Sequence, residues 1–378
     1  MTQQPPHLFR PLKLRGVTLP NRIVVSPMCQ YSAVNGCAQD WHLMHLGSLA
    51  VGGNGMLIVE MTNVVAEGRI TPHCLGLYDD ACEAALKRVI DFCRLHTASA
   101  LAVQLAHAGR KASTRPPWEG REPLRPGAGG WPTVGPSAIP ASADDLVPRA
   151  LSTAEIEGLV RDFAAAAQRA QRIGFDAIEL HAAHGYLLHQ FLSPLSNRRD
   201  DAYGGSLENR MRFPLAVFDA VRAVWPDDRP LGVRLSATDW IDGGWDMAQS
   251  LAFARALEAR GCDWLDVSSG GLSPLQQVPD SPGYQVPFGA EIKANTSLTI
   301  VTVGMITEAL QAESILAEGK ADLVALARGM LYDPRWAWHA AADLGAEVRY
   351  PNQYLRCRPR QRADGSPITA PANPERQP

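Results

Sequence analysis

Short apolar runs return along the chain, each followed by a segment with a different rhythm. They are RIVVSP (22–27), GMLIVEMT (55–62), ALAVQLAH (100–107), DAIELH (176–181), LGVRLS (231–236), WLDVSS (264–269), LTIVTVG (298–304) and DLVALARG (322–329). The intervening segments include ALKRVIDFCRLHT, TAEIEGLVRDFAAAAQRAQRIG, MAQSLAFARALEARG and ITEALQAESILAEG. Their apolar residues recur every three or four positions, the period of an amphipathic helix. Ser152 and Thr153 open one helix, and Gly174, Gly261 and Gly319 close three others. Runs that are apolar along their whole length indicate a parallel sheet buried on both faces. Eight βα units of this kind predict an α/β fold, a (β/α)8 TIM barrel. A doubly wound open sheet is the structural alternative, but it usually carries fewer strands, and no G-x-G-x-x-G follows the first run.

Two insertions interrupt the rhythm. One is a Pro/Gly/Trp-rich stretch from about Ala108 to Pro148, and the other is LSPLSNRRDDAYGGSLENR after the fourth run. Both are expected as long loops at the carboxyl end of the barrel, where such folds build their sites. The last stretch, 359–378, is polar and proline-rich and reads as a disordered tail, which leaves 1–358 as one domain.

Composition narrows the partners. The 378 residues are 46% hydrophobic and 20% charged, with a formal net charge of -3 and no basic stripe or acidic tail. That pattern gives no footprint for nucleic acid or an anionic membrane and makes a small molecule the default partner. No signal-like apolar core opens the chain, and no window of about 18 uninterrupted apolar residues follows, so a cytoplasmic protein is expected. Seven cysteines without a C-x-x-C pair argue against a disulfide framework, a structural zinc or an iron–sulfur cluster.

In a barrel the polar residues at the carboxyl ends of strands are the candidates for chemistry. Here they are Ser26, Met28, Cys29 and Tyr31 after the first run, Thr62 after the second, and Gln104, His107 and Lys111 after the third. The fourth contributes His181, His184 and Tyr186, the fifth Arg234, the seventh Gly304 and the eighth Arg328. Metal binding by His181 and His184 needs a third ligand, and none is obvious. Capping of backbone carbonyls is the plainer alternative. A third reading makes the histidines paired donors to a carbonyl or nitro oxygen, with Tyr186 close enough to deliver a proton. Gly304 and Arg328 suit a phosphate, since backbone N–H groups and a guanidinium meet there. A phosphate at strands seven and eight, Arg234 at five and Gln104 at three together fit flavin mononucleotide, FMN.

The motifs LFRPLKLRGVTLPNRIVVSPMCQYSA, QLAHAGRKA, IELHAAHGYLLHQFLSPLSNRRDDAYGGSLENRMRF, VRLSATDW, VGMI and LARGMLYDPRWAW resemble the old yellow enzyme family of FMN-dependent ene-reductases, along residues 8 to 358. Cys29 and the run Gln353-Tyr354-Leu355-Arg356 resemble its thermophilic-like, xenobiotic-reductase-like branch. The resemblance implies an N-terminal β-hairpin lid and non-covalent FMN held by Ser26, Pro27, Met28, Cys29, Gln104, Arg234, Gly304 and Arg328, with Met61 bordering the ring. It implies that His181 and His184 bind the oxygen of the activating group, that Tyr186 donates the proton and that Tyr31 orients substrate. Cys29 would tune the flavin, and Lys111 would lie near it. The implied activity is an NADPH dehydrogenase, with NADH as a possible donor, acting on activated alkenes and binding phenols. Arg356 would reach a neighbouring subunit's site, implying a homodimer or homotetramer. Two departures stand out: Arg358 where relatives of the branch carry an aromatic, and Met61 where a smaller residue is expected. A dienoyl-CoA-type reductase, a metal-dependent barrel hydrolase and a non-catalytic flavin-binding protein are the rival readings.

Overall fold

The structure, a computed structural model, describes residues 4–361 and 367–368. Eight parallel strands close into a barrel: β1 (Ile23–Val25), β2 (Met56–Asn63), β3 (Ala100–Ala106), β4 (Ala177–Ala182), β5 (Leu231–Ser236), β6 (Trp264–Ser268), β7 (Thr299–Thr302) and β8 (Leu323–Leu326). The last strand pairs with the first through Val324↔Ile23, Ala325↔Val24 and Leu326↔Val25. The longer helices are α1 (Asp40–Ala50), α2 (Asp80–His96), α3 (Thr153–Ile173), α4 (Leu207–Val224), α5 (Met247–Glu258), α6 (Val286–Asn295), α7 (Ala309–Ala317) and α8 (Trp336–Leu344). Each of the eight apolar runs carries one strand, with β2 and β4 running one residue past theirs. The run 322–329 stops pairing at Leu326, and Arg328 already belongs to a short helix, Arg328–Tyr332.

Local chemistry sets the element ends. The Ser152 side chain accepts from Glu155 N while the Glu155 carboxylate accepts from Ser152 N, a reciprocal cap at the start of α3. Gly174, with φ 97°, ends that same helix rather than a separate one.

Strand alternation sorts the residues into two cores. Outward-facing Ile23, Val25, Leu57, Val59, Leu101, Val103, Ile178 and Leu180 pack against the helices. Inward-facing Val24, Met56, Ile58, Ala102, Ala177, Trp264, Val301 and Ala325 fill the barrel, together with Leu14 and Leu19 of an antiparallel hairpin, Leu12–Leu14 with Val17–Leu19. The hairpin sits under the amino end. Its Gly16 N donates to Asp228 O at 2.8 Å and its Arg15 Nε to Asp263 at 2.6 Å, both partners lying just before β5 and β6. The expected hairpin lid therefore seals the end opposite the long loops.

The stretch after β3 lies at the carboxyl end as expected, beginning with a turn at Gly109–Lys111. The stretch after β4 lies there as well. Ser193 Oγ donates to Asp239, just past β5, at 2.6 Å, and Arg199 Nη1 donates to Pro136 O at 3.0 Å and Leu151 O at 2.6 Å, both between β3 and α3. It braces the insertion after β3. The expected tail falls mainly outside the described residues; of its span, Arg360–Gln361 pairs antiparallel with Pro367–Ile368. Among the described residues no helix is long and apolar enough to cross a membrane.

Gly232 is required by close approach. A Cβ there would lie 2.0 Å from Cε2 of Trp264, the indole that fills the barrel beside it. Gly232→Ala should destabilise the protein by about 1–3 kcal/mol through overpacking, read as a lower urea midpoint at unchanged slope. An unchanged midpoint would show that the indole can move aside.

Candidate active site

A cavity of about 270 Å³ opens at the carboxyl ends of the strands. The loop after β1 contributes Pro27, Cys29 and Tyr31, β2 contributes Met61 and β3 contributes Gln104. The end of β4 contributes His181, His184 and Tyr186, and β5 contributes Arg234. Arg234 also lines a second cavity of about 790 Å³, whose wall includes Ser268, Gln285, Gly304 and Arg328. One guanidinium therefore joins the two halves of a trough running from β4 round to β8.

The turn after β4 is held in an unusual shape. His184 has φ 57° and Gly185 φ 72°, and Gly185 N donates to the buried His189 Nδ1 at 2.9 Å. His189 Nε2 lies 2.9 Å from the buried Asp239. Lys111 Nζ donates to His184 O at 2.7 Å and to Gly271 O at 2.9 Å, tying three loops together. Its ammonium also stands 4.9 Å from the centre of the Tyr186 ring. Lys111 is thus part of the frame of the site. Burial first, then the neighbouring Arg110 and Arg121, pulls its pKa down to about 8.

This frame brings His181 Nε2 within 3.3 Å of His184 Nδ1. His181 Nδ1 accepts from Ala183 N at 3.3 Å, so the proton of the neutral ring belongs on Nε2. His184 Nε2 sits 2.8 Å from Ser268 Oγ, whose single hydrogen has two acceptors in reach, His184 Nε2 and Gln285 Oε1 at 3.2 Å. With the Ser268 hydrogen turned to His184, the two nitrogens that face each other are both donors, and an oxygen that takes both bonds relieves their opposition. Burial, followed by the positive field of Arg234, pushes both pKa values well below the ordinary histidine range. The pair is neutral at pH 7.

The Tyr186 ring stands edge-on to His181, 4.9 Å between centroids. Burial, with smaller contributions from Cys29 and Tyr31, raises the phenol's pKa well above its usual value, so it holds its proton. Cys29 is likewise a thiol, its pKa raised by burial and by Glu60. Cys29, Tyr31 and Tyr186 pack against a small apolar cluster containing Met61, Cys74 and Ala106. Tyr31 meets the ring of Trp118, from the insertion after β3, at 5.8 Å.

Other expected residues lie outside the cavities. The Met28 side chain packs on the outer core. Thr62 Oγ1 donates to Glu60 O at 2.7 Å, and His107 Nδ1 accepts from Gly109 N at 2.9 Å, so both serve the backbone. Arg356 is exposed on the turn Asn352–Cys357 and lines neither half of the trough. Ser236, Ser268, Tyr284, Gln285 and Ala327 were not anticipated. Ser236 Oγ accepts from His184 N at 2.9 Å, and Gln285 Nε2 donates to Val303 O at 2.8 Å. Ser236 ends LGVRLS and Ser268 is next to last in WLDVSS, so their only signal is a hydroxyl near a strand end. Among the described residues no third His, Cys, Asp or Glu joins the histidine pair in a ligand-spaced group.

The trough can be tested for FMN by what it leaves unmet. Ser26 Oγ is buried without a hydrogen-bond partner among the described residues. Gly304 has φ 120°, and a Cβ there would lie 2.6 Å from Gln285 Nε2, so the backbone itself faces the larger cavity beside Arg328. These features suit a polar ribityl chain and its phosphate.

Comparison with known proteins agrees. Residues 7–347 match the model of the NADH:flavin oxidoreductase / NADH oxidase family. The NADPH dehydrogenase of Geobacillus thermodenitrificans is 44% identical over 92% of this chain and 98% of its own length. That of Listeria innocua is 45% identical over the same shares. Among solved structures, morphinone reductase superposes with a TM-score of 0.76 at 30% identity, covering 93% of each chain. A 2-naphthoyl-CoA reductase complex gives 0.80 at 25% identity, with 90% of this chain covered and only 52% of that one.

Nitrogen-15 NMR should find His181 and His184 still neutral at the pH where a free histidine is half protonated, about 6.5, with the His181 proton on Nε2. The unfolded chain protonates its histidines near about 6.5, so stability should fall as the pH drops below that value. Titration of either ring near 6.5 would contradict the assigned burial.

Proposed function

The chain belongs to the NADH:flavin oxidoreductase / NADH oxidase family, and from that premise we propose that this FMN-dependent oxidoreductase is an ene-reductase acting on activated alkenes. The observation that carries the reading is the neutral pair His181 and His184, 3.3 Å apart, beside a protonated Tyr186. Ser26, Pro27, Gln104 and Arg234 would hold the flavin, with Gly304 and Arg328 at its phosphate. Met61 borders the smaller cavity. When bound there, FMN would supply the hydride chemistry that reduces the alkene at its β-carbon, with NAD(P)H as the source of the electrons.

The protein's own groups do the rest. His181 Nε2 and His184 Nδ1 bind the carbonyl or nitro oxygen, and their bonds strengthen as negative charge grows on it. Because both rings are neutral, they do not protonate that oxygen outright. Tyr186, kept as a phenol by burial, passes its proton to the α-carbon. Tyr31 and Cys29 bound the other side, positioning the alkene and shielding it from water. A phenol can place its own oxygen between the two histidines, which is why phenolic ligands belong to the same reading.

NADPH is proposed as the physiological donor, with NADH as a possible second, on the naming of the relatives in Geobacillus and Listeria as NADPH dehydrogenases. A homodimer or homotetramer in which Arg356 enters the neighbour's site is supported by its exposure, beside the exposed Tyr354 and Leu355. The seven unpaired cysteines support a cytoplasmic location.

Tyr186→Phe should leave reduction by NADPH unchanged and slow reoxidation by 2-cyclohexenone by about 10²–10⁴-fold, measured by stopped flow. Equal slowing of both half-reactions would remove Tyr186 from the proton-donor role. His181→Ala with His184→Ala should keep FMN bound and abolish the spectral change with p-hydroxybenzaldehyde. Retained tight phenol binding would overturn the donor-pair assignment.

A further inference from the structure

Beneath the cavity, inside the barrel, lie two acidic side chains that the proposed reaction does not use. Glu179 on β4 and Asp266 on β6 are both fully buried. Asp266 lies 3.2 Å from Arg234 Nε, at an angle that leaves both its oxygens without a hydrogen-bond donor among the described residues. Glu179 stands between two neutral partners, Gln104 Nε2 at 2.8 Å and Trp264 Nε1 at 3.3 Å. Register places them on adjoining rungs, with Glu179 opposite Gly232 and both His181 and Asp266 opposite Arg234. The remaining inward groups of this layer, Val24, Ile58, Ala102, Val301 and Ala325, carry no charge. The groups facing Glu179 are therefore Gln104 from β3, Arg234 from β5, Trp264 and Asp266 from β6, and His181 two residues along its own strand.

Two carboxylates and one guanidinium leave a net negative charge where water does not reach, and a proton on one acid removes it. Asp266 has the cation beside it, so the proton falls to Glu179. Both Glu179 oxygens face donors as drawn, since Gln104 presents its NH2 and Trp264 its N–H. A protonated Glu179 can keep the Trp264 bond only if its O–H finds an acceptor in Gln104. The two ends of a side-chain amide are nearly the same shape, so Gln104 can turn over without repacking. Its other end faces the 270 Å³ cavity.

We propose that the proton on Glu179 decides which end of the Gln104 amide faces the flavin. With Glu179 protonated, Gln104 offers its oxygen to Glu179 and its NH2 to the cavity. When Glu179 ionises, the NH2 turns to the carboxylate and the carbonyl oxygen faces the cavity. A donor there favours negative charge on the bound ring, and an acceptor disfavours it. Glu179 is in this sense a positioning residue that couples a buried proton to the flavin's reduction potential. Burial and the charge of Asp266 both shift Glu179 upward, and Arg234 opposes them.

The inference rests on the flavin reading, and its test separates the two. The FMN reduction potential of the purified protein is measured against pH for the native chain, Glu179→Gln and Asp266→Asn. Glutamine at 179 can donate to the Gln104 oxygen and accept from Trp264, so it mimics the protonated acid permanently. The native profile should bend well above the ordinary glutamate value of about 4.3, and Glu179→Gln should lack that bend and follow the low-pH native limb. Asp266→Asn should move the bend down by about one pH unit or more. Coincident native and Glu179→Gln profiles would overturn the proposal, as would a bend unmoved by Asp266→Asn. An infrared pH-difference spectrum without flavin should show a buried carboxylic-acid band in the native chain that Glu179→Gln lacks, and its absence from the native spectrum also overturns the proposal. A chain that binds no FMN would overturn the flavin reading, while the infrared band still decides the state of Glu179.

Discussion

The ladder between β8 and β1 is the constraint on which the remaining distances depend. Closure through Ala325↔Val24 forces every strand to alternate between a helix-facing side and an interior side. Gln104, His181, Arg234 and Ser268 then rise from four adjacent strands towards one mouth. An open sheet would leave the same residues spread along an edge. The barrel interior is filled in turn by Trp264, which fits because Gly232 has no side chain, and by Leu14 and Leu19 of the hairpin. The amino end is plugged, and the chemistry faces only the long loops.

The same packing decides the protonation states. Burial shifts His181, His184, Tyr186 and Cys29 each towards its neutral form. A neutral imidazole pair is a hydrogen-bond donor set that strengthens with developing charge, whereas an imidazolium would transfer its proton. The cations Arg234 and Lys111 add to the burial of the two rings and keep the charge where a ligand can use it. One physical cause, desolvation, gives the histidines their neutral rings and gives Tyr186 its retained proton.

Most of the barrel was legible because its signal is periodic. All eight strands fall on the apolar runs, two of them running one residue past, and Ser152 opens a helix where the sequence signals put one. The site was legible where polar residues stand at strand ends, since position there has a geometric meaning. It failed where a side chain turns outward, as at Met28. Glu179 and Asp266 were hidden for another reason. A single acid inside DAIEL or WLDV does not disturb the apolar pattern, and only the closed barrel shows that both point inward to Arg234 and Trp264. Ser268 escaped because a hydroxyl carries no distinctive signal until His184 is placed against it.

The central claim is that one trough binds FMN and presents an activated alkene to it through His181, His184 and Tyr186. It is tested most directly by the anaerobic visible spectrum of the purified protein, before NADPH, after NADPH and after 2-cyclohexenone. The account predicts a flavin band that bleaches with NADPH and returns with the enone. A band that bleaches and stays bleached would contradict the alkene reading, and a protein that remains colourless with added FMN would contradict the whole site.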